Sequence, residues 1–417
     1  MNYCLKLYDE NLMKFTMDSE LGKLFVVSVV WFDENKLNLL PLELTSDVTG
    51  GELDEVRPDW LENHSQLRKI SELWKDLSWG LLDYRLSKWL KNRVIPKNRE
   101  FVEKILETLG LTAENTKGII DVCKGLSLND SFWVVPEGFE GTFAECNLYE
   151  NKFSEVLSLV AYTGYGSKNE PFTTSPELTT NGMLPKAWRN IDGKIVLYKG
   201  GSSGFANSGL EPYSEYYACQ IADKMELNPV IYGLEKWKGI LASTCELFTD
   251  INTAFIPTGR LVKTGGYKAV AEWYKKQDEA LGTNMFDYFA SILVFDAIIY
   301  NVDRHFGNFG VLRDNRSGKI IGHAPIFDNG LGLFSEAMKD NLNELDEYRK
   351  KRLNNIAESF DSYVKAYAGK KQKEQLRKLI GFKFTPHEKY NWEPERLRII
   401  QDFIQNRVQE LLNIIEN

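Results

Sequence analysis

Apolar positions change rhythm along this chain, and the changes mark its parts. Leu24 to Phe32 is a dense Val- and Phe-rich run; Asp33-Glu34-Asn35-Lys36 supplies a turn, and Leu37 to Leu44 resumes strand character, which together predict a hairpin. From Pro58 to about Thr163 the spacing is mainly helical. Between Asn98 and Gly110 the apolar residues stand at 101, 102, 105, 106 and 109, with the glycine where a helix is expected to stop. Trp60, Trp74, Trp79 and Trp89 fall close together here and read as helix-packing core rather than as a ligand groove. A stretch rich in Gly, Ser, Asn and Pro from Gly164 to Pro176 then marks a boundary.

Beyond it, Gly193 to Gly200 alternates as a strand with Lys199 near its end. Tyr217, Ile221, Ala222 and Met225 recur at helical spacing and put Glu215 in a first turn. There it either complements the helix dipole or holds a cation, with Glu211 as the alternative carboxylate. Gly239 to Cys245 predicts the last strand of this part, and Glu246 to Asp250 a hinge. Met285 to Tyr300 is apolar almost all round, as in a helix buried in the middle of a lobe, with Asn284 and Asp287 as a capped start. Its one charged residue, Asp296, either bonds the backbone of the loop that follows or points to solvent. Asp346 to Lys351 offers acid–base pairs four apart, and Lys370 to Lys378 a solvated basic face. The segments are thus 1–164, 165–250 and 251–417.

Composition narrows the class. A chain of 417 residues, 43% hydrophobic and 26% charged, is an ordinary globular protein of about two domains. Its net charge of −8 argues against sequence-independent nucleic-acid binding. Five scattered cysteines suit a reducing cytoplasm and make a zinc site unexpected. The N-terminus lacks signal-peptide character, and no apolar run is long enough for a membrane span.

The chemistry is concentrated in two motifs. Asn301-Val302-Asp303-Arg304-His305-Phe306-Gly307-Asn308 is followed by Ile326-Phe327-Asp328-Asn329-Gly330. Asp303 and Asn308 have the offset of the base aspartate and metal-binding asparagine of a protein-kinase catalytic loop, and Asp328 falls where a kinase places its second metal-binding aspartate. Phosphoryl transfer needs such a set, because crowded negative charge is managed by cations held on carboxylates and an amide. Lys199 is placed to pair phosphates and Glu215 to hold Lys199.

These motifs, with Ser175-Pro176-Glu177-Leu178-Thr179-Thr180-Asn181-Gly182-Met183-Leu184-Pro185-Lys186-Ala187-Trp188, resemble the HipA-like serine/threonine kinases over roughly residues 165 to 415. The resemblance implies an α+β, bilobal protein-kinase-like fold, with a small β-rich and a large helical lobe behind a mixed, mainly helical N-terminal domain. It implies ATP and Mg²⁺ as cofactors, Asp303 as base, and Asn308 and Asp328 as metal ligands. Lys199, Thr180, Asn181, Gly182 and Lys186 would meet the phosphates, and Glu246, Phe248 and Asp250 the adenosine. It further implies a protein substrate, conceivably a translation component, and a small helix-turn-helix antitoxin as partner. Ser175, Thr179 and Thr180 are candidates for autophosphorylation in a mobile loop.

Departures from ordinary kinases are clear. His305 stands where a lysine is usual and serves either the γ-phosphate or the loop itself. The phosphate-covering loop holds one glycine, and no Ala-Pro-Glu closes the activation segment. The alternatives are a small-molecule phosphotransferase with the same metal site and a nucleotide-binding pseudokinase.

Overall fold

The computed structural model describes residues 1–46, 80–166, 174–204 and 207–416. The expectations for Pro58, Trp60, Trp74 and Trp79, and for part of the Gly164–Pro176 loop, lie outside the described residues. The chain divides into two compact units: Met1–Ile195 with Thr249–Ile256 and Leu312–Ile321, and Val196–Phe248 with Pro257–Val311 and Gly322–Asn417.

In the first unit, β1 (Asn2–Leu7), β2 (Glu10–Glu20), β3 (Lys23–Phe32) and β4 (Phe132–Pro136) form an antiparallel sheet in the order β3-β2-β1-β4. β3 is the strand expected from its Val and Phe content, but its hairpin partner lies upstream. β2 reaches it through Leu21 and Gly22, both at positive φ (50° and 79°). A Cβ at Gly22 would also come 2.7 Å from the Glu114 carbonyl oxygen, so glycine is needed there twice over. The strand expected over Leu37 to Leu44 is not formed. Glu34–Leu39 is a 3₁₀ helix and Leu42–Thr45 a helical turn. The Asp33 carboxylate accepts from Asn35 N–H at 3.1 Å and starts that helix, while Pro41 has no N–H for a ladder.

The outer edge of β3 is closed by side chains. Leu24, Val26 and Val29 N–H donate to Thr116 Oγ1, Ser87 Oγ and Asp83 Oδ1 at 2.8, 2.8 and 2.7 Å. Ser87 and Asp83 belong to the helix Gly80–Lys91, which covers the edge and removes a template for strand addition. On the inner face Leu5, Met13, Phe15 and Met17 are fully buried with Trp89, whose ring meets Phe132 edge-on at 6.0 Å. The helix expected over 98–110 is shorter, Val102–Glu107, because Phe101 turns into the left-handed region (φ 60°) just before it. β5 (Lys186–Ile191) completes this part.

Two late segments are built into the first unit. The Thr249 hydroxyl donates to Leu128 O at 2.5 Å, and the buried Arg313 guanidinium donates to Asn38 O and Leu40 O at 2.9 and 3.1 Å. The units therefore do not divide at residues 164 and 250, where composition changes. Long-range bonds of this kind leave no local pattern.

In the second unit, β8 (Ile240–Glu246) lies antiparallel between β6 (Lys194–Gly200) and β7 (Gly233–Trp237), with Lys199 opposite Ser243. The helices Glu211–Lys224, Met285–Ile299, Phe360–Tyr367, Lys370–Arg377 and Pro394–Glu416 supply its bulk. Met285–Ile299 is buried almost throughout, as its composition predicts. Its cap is not Asn284, which makes no side-chain cap bond. The Asp278 carboxylate instead accepts from Met285 and Phe286 N–H at 2.7 and 2.9 Å. The ion pairs over 345–350 join residues three apart, not four, Asp346 with Arg349 (2.9 Å) and Glu347 with Lys350 (2.5 Å), and Arg349 also pairs with Glu410 at 2.7 Å. Among the described residues no helix is long and apolar enough to cross a membrane.

Candidate active site

Two elements of the second unit bring Lys199 and Glu215 together. β6 carries Lys199 inward near its end, and the helix Glu211–Lys224 buries Glu215 in its second turn. Lys199 Nζ donates to Glu215 Oε1 at 2.8 Å and to Asp328 Oδ1 at 2.5 Å. The other oxygen of Glu215 accepts from Asn329 N–H at 2.6 Å. One buried carboxylate thus fixes both the lysine and the backbone beside Asp328. Glu211, the alternative carboxylate, instead accepts from Ser202 N–H at 3.2 Å.

The electrostatics follow from burial. Loss of water alone would lower the Lys199 pKa, but the charges of Asp328 and Glu215 more than reverse this and hold the ammonium above its usual range. Burial raises the Glu215 carboxyl, with Lys199 pulling against it and Asp328 adding to it. Asp303 is half-buried and also raised, first by burial and then by repulsion from Asp328.

The helix Met285–Ile299 ends at Tyr300, in the left-handed region at φ 50°, and delivers the chain into the loop. Asn301 Oδ1 accepts from Asp303 N–H at 3.1 Å, and Asn308 Nδ2 donates to Asp303 O at 3.1 Å. The exposed His305 folds over its own loop, Nδ1 accepting from Gly307 N–H at 3.0 Å. A Cβ at Gly307 would strike the ring at 2.7 Å. Here the imidazole holds the loop.

The residue that organises the site is Arg304. It is 1% exposed and binds Asp296 through Nε at 3.0 Å and Nη2 at 3.0 Å. The same guanidinium donates to Asn308 O (3.2 Å), Phe327 O (2.5 Å) and Asn329 Oδ1 (2.5 Å). The Asp296 carboxylate therefore neither points to solvent nor bonds the loop backbone. It anchors the arginine that braces the Asp303–Asn308 loop against the Phe327–Gly330 turn. On the far side Tyr232 Oη accepts from Asp328 N–H at 3.2 Å. Asp328 itself sits at φ 57°, an uncommon conformation kept only because its neighbours determine it. Sequence reading missed Arg304, Asn329, Tyr232 and the role of Asp296. A lone acid in an apolar helix eight residues before an arginine was the available signal; Tyr232 offered none.

Of the adenosine candidates, Phe248 lies against Phe327 with ring centroids 5.5 Å apart, and Glu246 ends β8. Asp250 belongs to the first unit. Its carboxylate builds a turn there, accepting from Asn252 and Thr253 N–H at 2.7 and 2.8 Å.

The loop of Ser175 to Lys186 also belongs to the first unit. Lys186 Nζ donates to Asn181 O at 2.8 Å, and Gly182 (φ 94°) has no room for a side chain beside that amine. The three hydroxyls expected to be mobile are tied down. Ser175, 1% exposed, caps Glu177 N–H at 3.4 Å, and Thr179 and Thr180 donate to Pro176 O at 3.4 and 2.6 Å. Residues 95–100 hold the loop from outside: Ile95 N–H donates to Leu178 O (2.7 Å), Glu100 N–H to Met183 O (2.8 Å) and Arg99 Nη2 to Lys186 O (2.7 Å).

Beneath the loop Glu177 faces Arg99 at 3.5 Å and accepts from Trp188 N–H at 2.8 Å. Burial outweighs both partners and pushes the Glu177 carboxyl up to about 7, as it pushes Arg99 down to about 10. A carboxyl whose folded pKa exceeds its unfolded one gives stability that is full below the unfolded value and lost as pH rises through the folded one. The first unit should therefore lose about 3 kcal/mol from this group between pH 4.5 and pH 7, and Glu177→Gln should flatten that part of the profile. Urea unfolding of both forms across this range measures it; parallel profiles would refute the assignment.

Among the described residues no group of three or more His, Cys, Asp or Glu side chains is gathered as a metal cage. The second unit instead offers an oxygen set: the Asp328 carboxylate, the Asn308 side-chain carbonyl left by its amide's bond to Asp303 O, and Asp303 with its repelled charge. That set suits Mg²⁺, which takes one or two carboxylates and completes its shell with water and phosphate.

Comparison with known proteins bears on the fold. No protein-family profile and no curated protein sequence matches the chain. HipA of Shewanella oneidensis MR-1, solved with HipB and its operator DNA, superposes over 99% of this chain and 98% of its own, with a TM-score of 0.52 and 11% identity. The Helicobacter pylori proinflammatory kinase CtkA matches 55% of this chain and 90% of its own, with a TM-score of 0.41 and 18% identity. The chain has an α+β, HipA-like kinase fold.

Proposed function

We propose that this chain is a Mg-ATP-dependent kinase that phosphorylates serine or threonine hydroxyls of a protein. The observation that carries the reading is the Lys199 ammonium shared by Glu215 and Asp328, joined by Arg304 to the loop of Asp303 and Asn308. Lys199 would hold the nucleotide phosphates, and Asn308 and Asp328 the Mg²⁺, whose chemistry is to neutralise charge on the transferring phosphoryl group. Asp303 would orient the attacking hydroxyl and accept its proton, and its raised pKa favours proton uptake. Glu215 acts through Lys199 and Asn329 as a positioning residue.

The finer reading is a cytoplasmic, toxin-type regulator that modifies a translation component, is held by a small helix-turn-helix antitoxin, and phosphorylates itself at Ser175, Thr179 or Thr180. What supports it is the motif resemblance and the shared HipA-like fold. Self-modification would require the loop to leave its bonds to residues 95–100.

Incubation with γ-labelled ATP, Mg²⁺ and a cell lysate tests the activity. Label should enter protein as acid-stable phosphoserine or phosphothreonine. Label confined to small molecules would favour the small-molecule phosphotransferase, and nucleotide binding without transfer the pseudokinase.

A further inference from the structure

A hollow of about 600 Å³ opens in the second unit on the flank of the helix that carries Glu215. Tyr216, Cys219, Tyr232, Ile380 and Phe382 are among the residues that line it. The segment over it is strapped to the helix: Thr385 N–H donates to Gln220 Oε1 at 2.8 Å, and Gln220 Nε2 donates to Thr385 O at 3.1 Å. Two features set it apart from ordinary surface. Ile231 and Ile380, 63% and 56% exposed, both line the hollow, an arrangement that leaves aliphatic carbon in water. Its lining also holds Lys224, Lys378 and Lys383 against one acid, Asp223, in a chain of net charge −8. Lys378 is paired with Glu226, whose charge also reaches Lys224; Lys224 and Lys383 are exposed cations of the rim.

The hollow has two direct links to the candidate active site. Tyr232 is the hydroxyl that accepts from Asp328 N–H at 3.2 Å. Tyr216 follows Glu215 in the chain, and Cys219 stands one turn further along the same helix.

We propose that this hollow is a regulatory site for an amphipathic carboxylate, its linear apolar chain against Ile231, Ile380 and Cys219 and its anionic end at Lys224 and Lys383. The effect on activity rests on the kinase reading above. The volume suits a small organic ligand, and an apolar lining with a few placed charges fixes its orientation. Occupancy packs against Tyr232 and stiffens the helix flank, which favours the arrangement where Glu215 holds Lys199 and Asp328 stays in place. The ligand therefore tightens Mg-ATP binding, by about fivefold at the low end of ordinary coupling between sites.

Calorimetric titration of the full chain with decanoate, without nucleotide, tests the site, with decanol and acetate as controls. Decanoate should saturate below about 1 mM, well ahead of decanol, and acetate should not bind. The Lys224→Glu/Lys383→Glu double variant and, separately, Ile231→Asp should each weaken decanoate about tenfold or more, an effect read against the same scale. All three positions are exposed, so these variants should stay folded. Saturating decanoate should then lower the Kd for Mg-ATP in the wild type and not in the double variant. Absence of saturation, or equal binding by the double variant, overturns the site. An acidic leucine-containing peptide that saturates where decanoate does not would overturn the small-molecule assignment in favour of a protein partner. Decanoate binding with unchanged Mg-ATP affinity overturns the regulatory link. A chain that takes decanoate here but binds no Mg-ATP would leave the site standing and refute the kinase reading.

Discussion

Asp328→Asn is expected to abolish phosphotransfer and with it the magnesium-dependent part of nucleotide binding. The substitution keeps the size of the side chain but removes the charge that faces the metal set and one of the two carboxylates on Lys199. Glu215 still holds the lysine at 2.8 Å, so the loss should come from the metal and not from a displaced lysine. Asp303→Asn is the counterpart: turnover should vanish while Mg-ATP binding stays close to wild type, because Asp303 would serve the acceptor hydroxyl. At nucleotide about a hundredfold above Kd, binding stabilises a protein by roughly 2.7 kcal/mol, which a thermal-shift measurement resolves. Asp328→Asn should lose that shift with magnesium present and Asp303→Asn should keep it. If Asp328→Asn retains both wild-type activity and the Mg-ATP shift, the metal assignment is wrong.

Arg304→Met should be the most destabilising single change in the second unit. It leaves Asp296, 3% exposed, without the cation that compensates its burial, and it strands the acceptors at Asn308, Phe327 and Asn329. Breaking a buried pair from one side costs about 3–5 kcal/mol. Burial already raises the Asp296 carboxyl against the pull of Arg304, so in the variant it should take up a proton more readily. Adding Asp296→Leu should recover part of the loss, since no buried charge then remains. Urea unfolding of the wild type, the single variant and the double variant reads these terms. A single variant within about 1 kcal/mol of wild type would mean that the brace contributes little, since that is the range of an ordinary substitution.

What could be read from sequence was local. The alternating Gly193–Gly200 strand followed by the helical spacing after Ser214 placed a lysine and a carboxylate on neighbouring elements, and their 2.8 Å contact follows from that order. The all-apolar Met285–Ile299 helix was legible because burial on every side leaves no polar stripe. The rest depended on partners distant in the chain. Asp278 supplants Asn284 as a cap because its helix, Gly266–Leu281, ends beside the start of the next one. Leu37 to Leu44 has strand composition, but Asp33 starts a 3₁₀ helix there and Pro41 has no N–H to offer a ladder. β1 and β2 carry too few β-branched residues to stand out from composition alone. Arg313, Thr249 and Arg99 each bind backbone carbonyls scores of residues away, and nothing in a one-dimensional pattern marks a carbonyl that needs a donor. Ser175, Thr179 and Thr180 looked mobile for the same reason, since the bonds that hold their loop come from residues 95–100.

Those last bonds bear on how such a chain can diversify. The Ser175–Lys186 loop is cast against Ile95, Arg99 and Glu100, so its shape is specified by residues about 80 positions upstream. A recombination event between residues 100 and 175 would pair the loop with a foreign mould, leaving Glu177 buried opposite whatever replaced Arg99. Viable exchange would have to carry both segments together. Sequence drift at positions 95–100 should then be answered by drift at 177–186, a joint inheritance that the gap between them along the chain conceals.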